Sequence, residues 1–229
     1  MEKLQEFTDF LKTVDLKRYR KEYASIKIVE MDLPKDIQAI ILLYRIYWEE
    51  KRFISFEDFY DIYFEEKKEK LEAFRVKTQM CNDCFYKGIK ARIYRTWAGL
   101  VTQIHAGYVA ESVFGEGTVE MSRELDSLGA DIRVVYKEHI LNYQVKKTSF
   151  SGVRSSTPLP TRITEGENID IKYEVPSCLS DPRTKSGELR LPYKRFLEDT
   201  RTAAFDNGFV VFTKDTFLPK KEEIDSIKN

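Results

Sequence analysis

Asp131, Gln144 and Lys146 are the residues whose types and spacing best suit chemistry on a phosphate. Two β-rich runs hold them, Asp131-Ile-Arg-Val-Val-Tyr136 and Ile140-Leu-Asn-Tyr-Gln-Val-Lys146, with polar Lys137-Glu138-His139 between. That order predicts a hairpin. With its turn centred near Glu138, Asp131 falls opposite Val145, and Gln144 and Lys146 flank that partner on one face of the sheet. A carboxylate, an amide and an ammonium then meet at one end of a hairpin. The set suits a divalent metal together with a positive charge that stabilises a phosphoryl transition state.

An Asp opening one strand, followed by Gln144-Val145-Lys146 on the next, resembles the active site of the PD-(D/E)xK nuclease superfamily. The form with Gln before x-Lys is similar to a variant found among type II restriction endonucleases. The resemblance covers about residues 92 to 150, and the Gly208–Thr213 strand more loosely. It implies a Mg²⁺-dependent endonuclease that hydrolyses phosphodiesters of double-stranded DNA at a specific sequence. Asp131 would ligate metal, Gln144 would offer its amide oxygen or orient water, and Lys146 would stabilise the attacking hydroxide or the charge growing on the phosphate. Cutting both strands of a palindrome needs two such sites, so the resemblance also implies a homodimer.

A helix must stand before this hairpin. From Arg95 to Phe114, Trp97, Leu100, Val101, Ile104, Tyr108, Val113 and Phe114 keep close to a 3.6-residue period. Glu111 falls on or beside that apolar stripe, where a carboxylate is costly unless paired. In the resembling nucleases a Glu on the helix before the hairpin joins the metal site, and Glu111 occupies the matching place.

Composition bounds the rest. The chain has 229 residues, 38 Lys and Arg against 38 Asp and Glu, and so a formal net charge of zero. Global charge gives no argument for nucleic acid, but local charge does. Between Arg75 and Gln103 stand six basic residues (Arg75, Lys77, Lys87, Lys90, Arg92, Arg95) and one acidic residue, Asp83. Such an asymmetry fits a face that meets a phosphate backbone. No apolar run reaches membrane-spanning length, and the N-terminus lacks the order of a secretory signal, so a cytoplasmic protein is expected. Cys81, Cys84 and Cys178 are too few for a disulfide framework, and Cys81-Asn-Asp-Cys84 lacks a second pair to complete a zinc site. No Walker A, GxGxxG or GxSxG motif is present, which argues against a nucleotide cofactor or a serine hydrolase.

The first 80 residues read as a helical N-terminal region for packing, dimerisation or DNA contact. Its helices span about 1–23, a second opening at Pro34, and a third from Phe56 to about Phe74 behind a Ser55-Phe-Glu-Asp58 capping box. Residues 81–229 read as the nuclease core, with a polar DNA-recognition excursion at about 148–190. Lys147, Ser149, Arg154, Ser155, Arg162, Arg183 and Lys185 are its candidate DNA contacts, since Arg and Lys read guanine edges and hydroxyls reach phosphates. A strand over Asn168–Val175, a helix over Lys194–Asn207, a buried strand over Gly208–Thr213 and a fraying tail after Pro219 complete the chain. The expected fold is α/β, a central mixed sheet flanked by helices in a restriction-endonuclease-like core. Two alternatives share these residues: a structure-selective repair or junction-resolving nuclease, and a non-catalytic DNA-binding or interaction module.

Overall fold

The computed structural model describes residues 2–26, 33–149, 162–176 and 181–227. A long central helix organises them. This helix, α5 (Asn82–Phe114), buries Phe85, Ile93, Trp97, Val101, Ile104 and Tyr108 against elements on several sides. It starts earlier than periodicity suggested because Cys81 caps it, its sulfur accepting the Cys84 N–H at 3.3 Å. That is the structural use of the CxxC pair, both of whose thiols are exposed.

The N-terminal region is helical as expected, but more broken. Asp15 accepts the Arg18 N–H and divides the first stretch into α1 (Glu2–Thr13) and α2 (Leu16–Tyr23). The segment after Pro34 gives only a 3₁₀ turn (Lys35–Ile37) and the short α3 (Ile40–Leu43), which continues as a π-helical turn over Tyr44–Glu49. Ser55 caps α4 (Phe56–Thr78), whose last turn is closed by Gln79 in the left-handed region. The aromatic excess of these helices packs inward. The Trp97 indole donates to the Tyr47 hydroxyl at 2.7 Å, which donates to the Ile54 carbonyl at 2.6 Å. Buried aromatic groups of this kind need partners for their polar ends, and here they supply them to each other. One hydrophobic cluster runs from Phe7 to Ile224.

The sheet is mixed and four-stranded, in the order β1 (Val119–Glu120), β2 (Ile132–Tyr136), β3 (His139–Ser149), β4 (Glu167–Val175). The first three strands pair antiparallel, and β4 runs parallel to β3. Between β1 and β2 lies α6 (Arg123–Ser127), capped by Ser122. Alternation along the hairpin is broken at one place: Ile132, Val134, Leu141 and Tyr143 are buried toward the core and Arg133, Val135, Ile140 and Gln144 are more open, but Asn142 is buried as well, bonded to Arg133 and to the Glu165 carbonyl.

Four expectations need correction. The hairpin turn has two residues, not three: Lys137 and Glu138, both at positive φ (46° and 66°), join Tyr136 to its partner His139. The pairing is therefore shifted by one, with Ile132 opposite Tyr143, so that Asp131 adjoins Gln144 and not Val145. The helix expected over 194–207 is α7 (Leu191–Glu198), followed by β5 (Thr202–Ala204). The apolar run after Gly208 forms β6 (Val210–Phe212), paired with β5 in a separate hairpin and not with the main sheet. Finally, the charged tail does not fray. It forms α8 (Leu218–Ser226), which buries Ile224 and draws the Tyr136 hydroxyl and the Lys137 ammonium onto Asp225 at 2.8 and 2.6 Å.

Candidate active site

Asp131 enters β2 from the turn after α6, and its hydrogen bonds pin it in place. Its N–H donates to the Tyr143 carbonyl at 2.9 Å, and its Oδ2 accepts the Val145 N–H at 2.6 Å. The residue is thus stapled to β3 on both sides of Gln144. Its other oxygen, Oδ1, accepts from the Gln103 side-chain amide at 3.3 Å, which ties the hairpin to α5. The carboxylate is only 7% exposed.

A second carboxylate lies against it. Asp126, on α6 five residues earlier, comes within hydrogen-bonding reach of Asp131. Burial, and then the neighbouring Asp126, push the Asp131 carboxyl up to about 7, against the pull of the Val145 N–H. Burial raises Asp126 as well, outweighing the opposing effects of its hydrogen bond with Asp131 and of Arg123. Two acids this close do not both ionise readily without a proton or a cation between them. Burial also raises the Tyr44 phenol, and the charges of Asp126 and Asp131 add to it. That hydroxyl is buried and has no hydrogen-bond partner among the described residues.

Lys146 stands two residues beyond Gln144 on β3, roughly 7 Å along the strand. Its ammonium pairs with Asp170 of β4 at 2.5 Å. The parallel register places Gln144 beside Asp170 on the neighbouring strand. Asp131, Gln144 and Lys146 are therefore brought to one end of the hairpin.

Glu111 is not brought there. It lies eight residues beyond Gln103 on α5, about 12 Å along the helix axis. Its carboxylate accepts the Gly117 N–H at 3.1 Å and faces a groove beside the start of α1. The α5 residue that reaches Asp131 is Gln103, and the second acid comes from α6. Asp126, Gln103, Asp170 and Tyr44 are the site's additions to the sequence reading. Asp126 carried one signal: it stands five residues before Asp131 across a helix-terminating Leu128-Gly129.

Among the candidate DNA contacts, the Arg162 N–H donates to the Leu128 carbonyl at 2.8 Å, so this exposed residue sits over the turn between Asp126 and Asp131. Arg183 bonds the Gly187 carbonyl at 2.7 Å, within the loop whose tip carries exposed Lys185. Lys147 and Ser149 belong to β3 by their backbones, and Arg154 and Ser155 lie outside the described residues.

The donor set suits a hard divalent cation. Among the described residues no three acidic, His or Cys side chains converge, so the candidates are two carboxylates supplemented by amide oxygens. Such a cation favours oxygen ligands, and the burial that lifts both carboxyls, with the added push of Asp126 on Asp131, is a cost that a cation would relieve.

Comparison with known proteins decides the class. The TaqI restriction endonuclease family model matches residues 4–224. The chain belongs to the TaqI restriction endonuclease family. It is 29% identical over 222 residues to the type II restriction enzyme TaqI of Thermus aquaticus, covering 91% of this chain and 83% of that protein. It is 31% identical over 225 residues to a type II restriction enzyme of Thermus thermophilus, again covering 91% and 83%. No solved structure matches. Membership of this family makes the chain a type II restriction endonuclease, a site-specific deoxyribonuclease, and sets aside the reading as a non-catalytic module. No helix among the described residues is long and apolar enough to cross a membrane.

Proposed function

We propose that this TaqI-family endonuclease cuts both strands of duplex DNA at a specific sequence, with Mg²⁺ held by Asp131 and Asp126 and with Gln144 as a neutral ligand or water-orienting group. The observation that carries the proposal is the buried Asp126–Asp131 pair, stapled between α5 and β3. Asp131…Gln144-x-Lys146 resembles the Gln form of the PD-(D/E)xK site. Bound there, Mg²⁺ would supply charge neutralisation at the scissile phosphate and a more acidic water.

The chain's own residues do the positioning. Val145 and Tyr143 fix Asp131 through backbone bonds, so its carboxylate loses no order when DNA arrives. Gln103 holds Oδ1 from the helix side. Asp170 holds the Lys146 ammonium at the rim in the absence of substrate. A phosphate approaching this end of the hairpin competes with Asp170 for that ammonium, which then stabilises charge developing on the phosphate oxygens. A homodimer places two such sites on the two strands, and the segment from about 148 to 190, with Arg162, Arg183 and Lys185, reads the sequence. Incubation with plasmid and phage DNA tests the proposal. Discrete fragments that form with Mg²⁺ and not with EDTA support it. A smear of random lengths, or cutting that EDTA leaves untouched, refutes it.

A further inference from the structure

Between Ala91 and Ala110, α5 is buried except along one strip: Arg92, Arg95, Thr96, Ala98, Gly99 and Gln103. The spacing of Arg92, Thr96, Gly99 and Gln103 follows one helical face. That strip ends at the amide bonded to Asp131. It is bordered by a groove of about 480 Å³ that Arg20 and Arg95 line on one side, and one of about 620 Å³ that Lys35, Lys77 and Arg92 line on the other.

Two basic residues of this region are engaged within the protein. Arg75 is bound to Glu72 at 2.5 Å, and Lys90 lies over the Tyr60 ring at 5.2 Å. Arg92 and Arg95 have no ion pair among the described residues. Among the described residues the Arg92 Nε is buried without a hydrogen-bond partner, and the Arg95 guanidinium donates to the Tyr23 and Ile26 carbonyls at 3.3 and 3.2 Å. Gly99, between them and Gln103, has open space among the described residues where a Cβ would sit. A glycine inside a helix is unfavourable when nothing packs on it, and here its use is to let another backbone come close.

We propose that this strip is a track for the sugar–phosphate backbone of one DNA strand, gripped by Arg92 and Arg95 and led over Gly99 to Asp131. The proposal rests on the nuclease reading above and adds the path by which the strand reaches that site. From Arg95 to Gln103 the helix rises about 12 Å, room for roughly three to four nucleotides at about 3.4 Å of duplex axis each.

The test is duplex binding in EDTA, read by fluorescence anisotropy over a range of salt concentrations. Removing one phosphate-binding charge lowers the log–log salt slope by about 0.9. Arg92→Gln/Arg95→Gln is expected to lower the slope by about 1.8, twice that value, while Lys87→Gln, exposed on another face of α5, leaves it unchanged. Gly99→Asp, whose Cβ meets no heavy atom of the described residues within 4 Å, is expected to weaken low-salt binding at least tenfold while keeping the parent melting temperature. An unchanged slope in the double variant, or unchanged affinity in Gly99→Asp, overturns the track. Cleavage by Lys146→Ala is read alongside. Its loss with the track variants unaffected leaves the nuclease reading standing and removes the track alone.

Discussion

Asp131→Asn should make this protein more stable above neutral pH while removing its activity. An Asp carboxyl that ionises near its ordinary 3.8 in the unfolded chain and near 7 in the folded one opposes folding once the unfolded form has lost its proton. Below 3.8 both forms are protonated, and the difference vanishes. As pH rises through the window between 3.8 and 7, the unfolded chain ionises first and stability falls. Above 7 the cost is complete, about 4 kcal/mol at about 1.36 kcal/mol per pKa unit. The substitution removes that dependence and keeps an oxygen to accept the Val145 N–H. Urea denaturation without divalent metal, compared at pH 5 and pH 8, measures it. The advantage of the variant should grow by about 3 kcal/mol between those values. An advantage that does not change with pH, or a wild-type protein more stable than the variant at pH 8, would refute the reasoning.

Three further substitutions test how the scaffold holds the site. Gly166→Ala, at φ 83° with its Cβ placed 2.4 Å from the Ile140 carbonyl oxygen just before β4, should cost about 3 kcal/mol by overpacking, read as a drop in melting temperature. Asn207→Ala removes the amide that caps the end of α1 through the Leu11 and Val14 carbonyls at 2.6 and 2.9 Å, and a loss of about 2 kcal/mol in chemical denaturation is expected. Gly99→Ala should instead stabilise by about 1 kcal/mol, because the helix gains and no atom is displaced; a lower melting temperature would show that the strip is not open.

The hairpin, and the placing of Asp131, Gln144 and Lys146 at one end of it, were legible where alternation and residue type agree. Its register was not. A two-residue turn with both residues at positive φ is signalled by Asn-Gly or Asp-Gly, and Lys137-Glu138 gives no such sign. Glu111 and Gln103 both interrupt the apolar stripe of α5, and periodicity alone does not tell which of them meets the sheet. That is settled by where the hairpin crosses the helix, a tertiary fact. Asp126 was missed for a similar reason. It belongs to a five-residue helix whose return through Gly129 folds it back on Asp131, a proximity that sequence separation hides. The β5 strand escaped because Thr202–Ala204 is too short to show alternation, and α8 because its single buried residue, Ile224, is surrounded by charge.

The central claim, that Asp126, Asp131 and Lys146 cut DNA, is tested most directly by cleavage of one mapped site in Mg²⁺ by four single variants. Asp131→Asn, Asp126→Asn and Lys146→Ala should each lose cleavage by at least a hundredfold, while Glu111→Gln, remote from Asp131 along α5, should cut within a few-fold of wild type. Full activity in Asp126→Asn together with a dead Glu111→Gln would contradict the account and move the second acid of the site to α5.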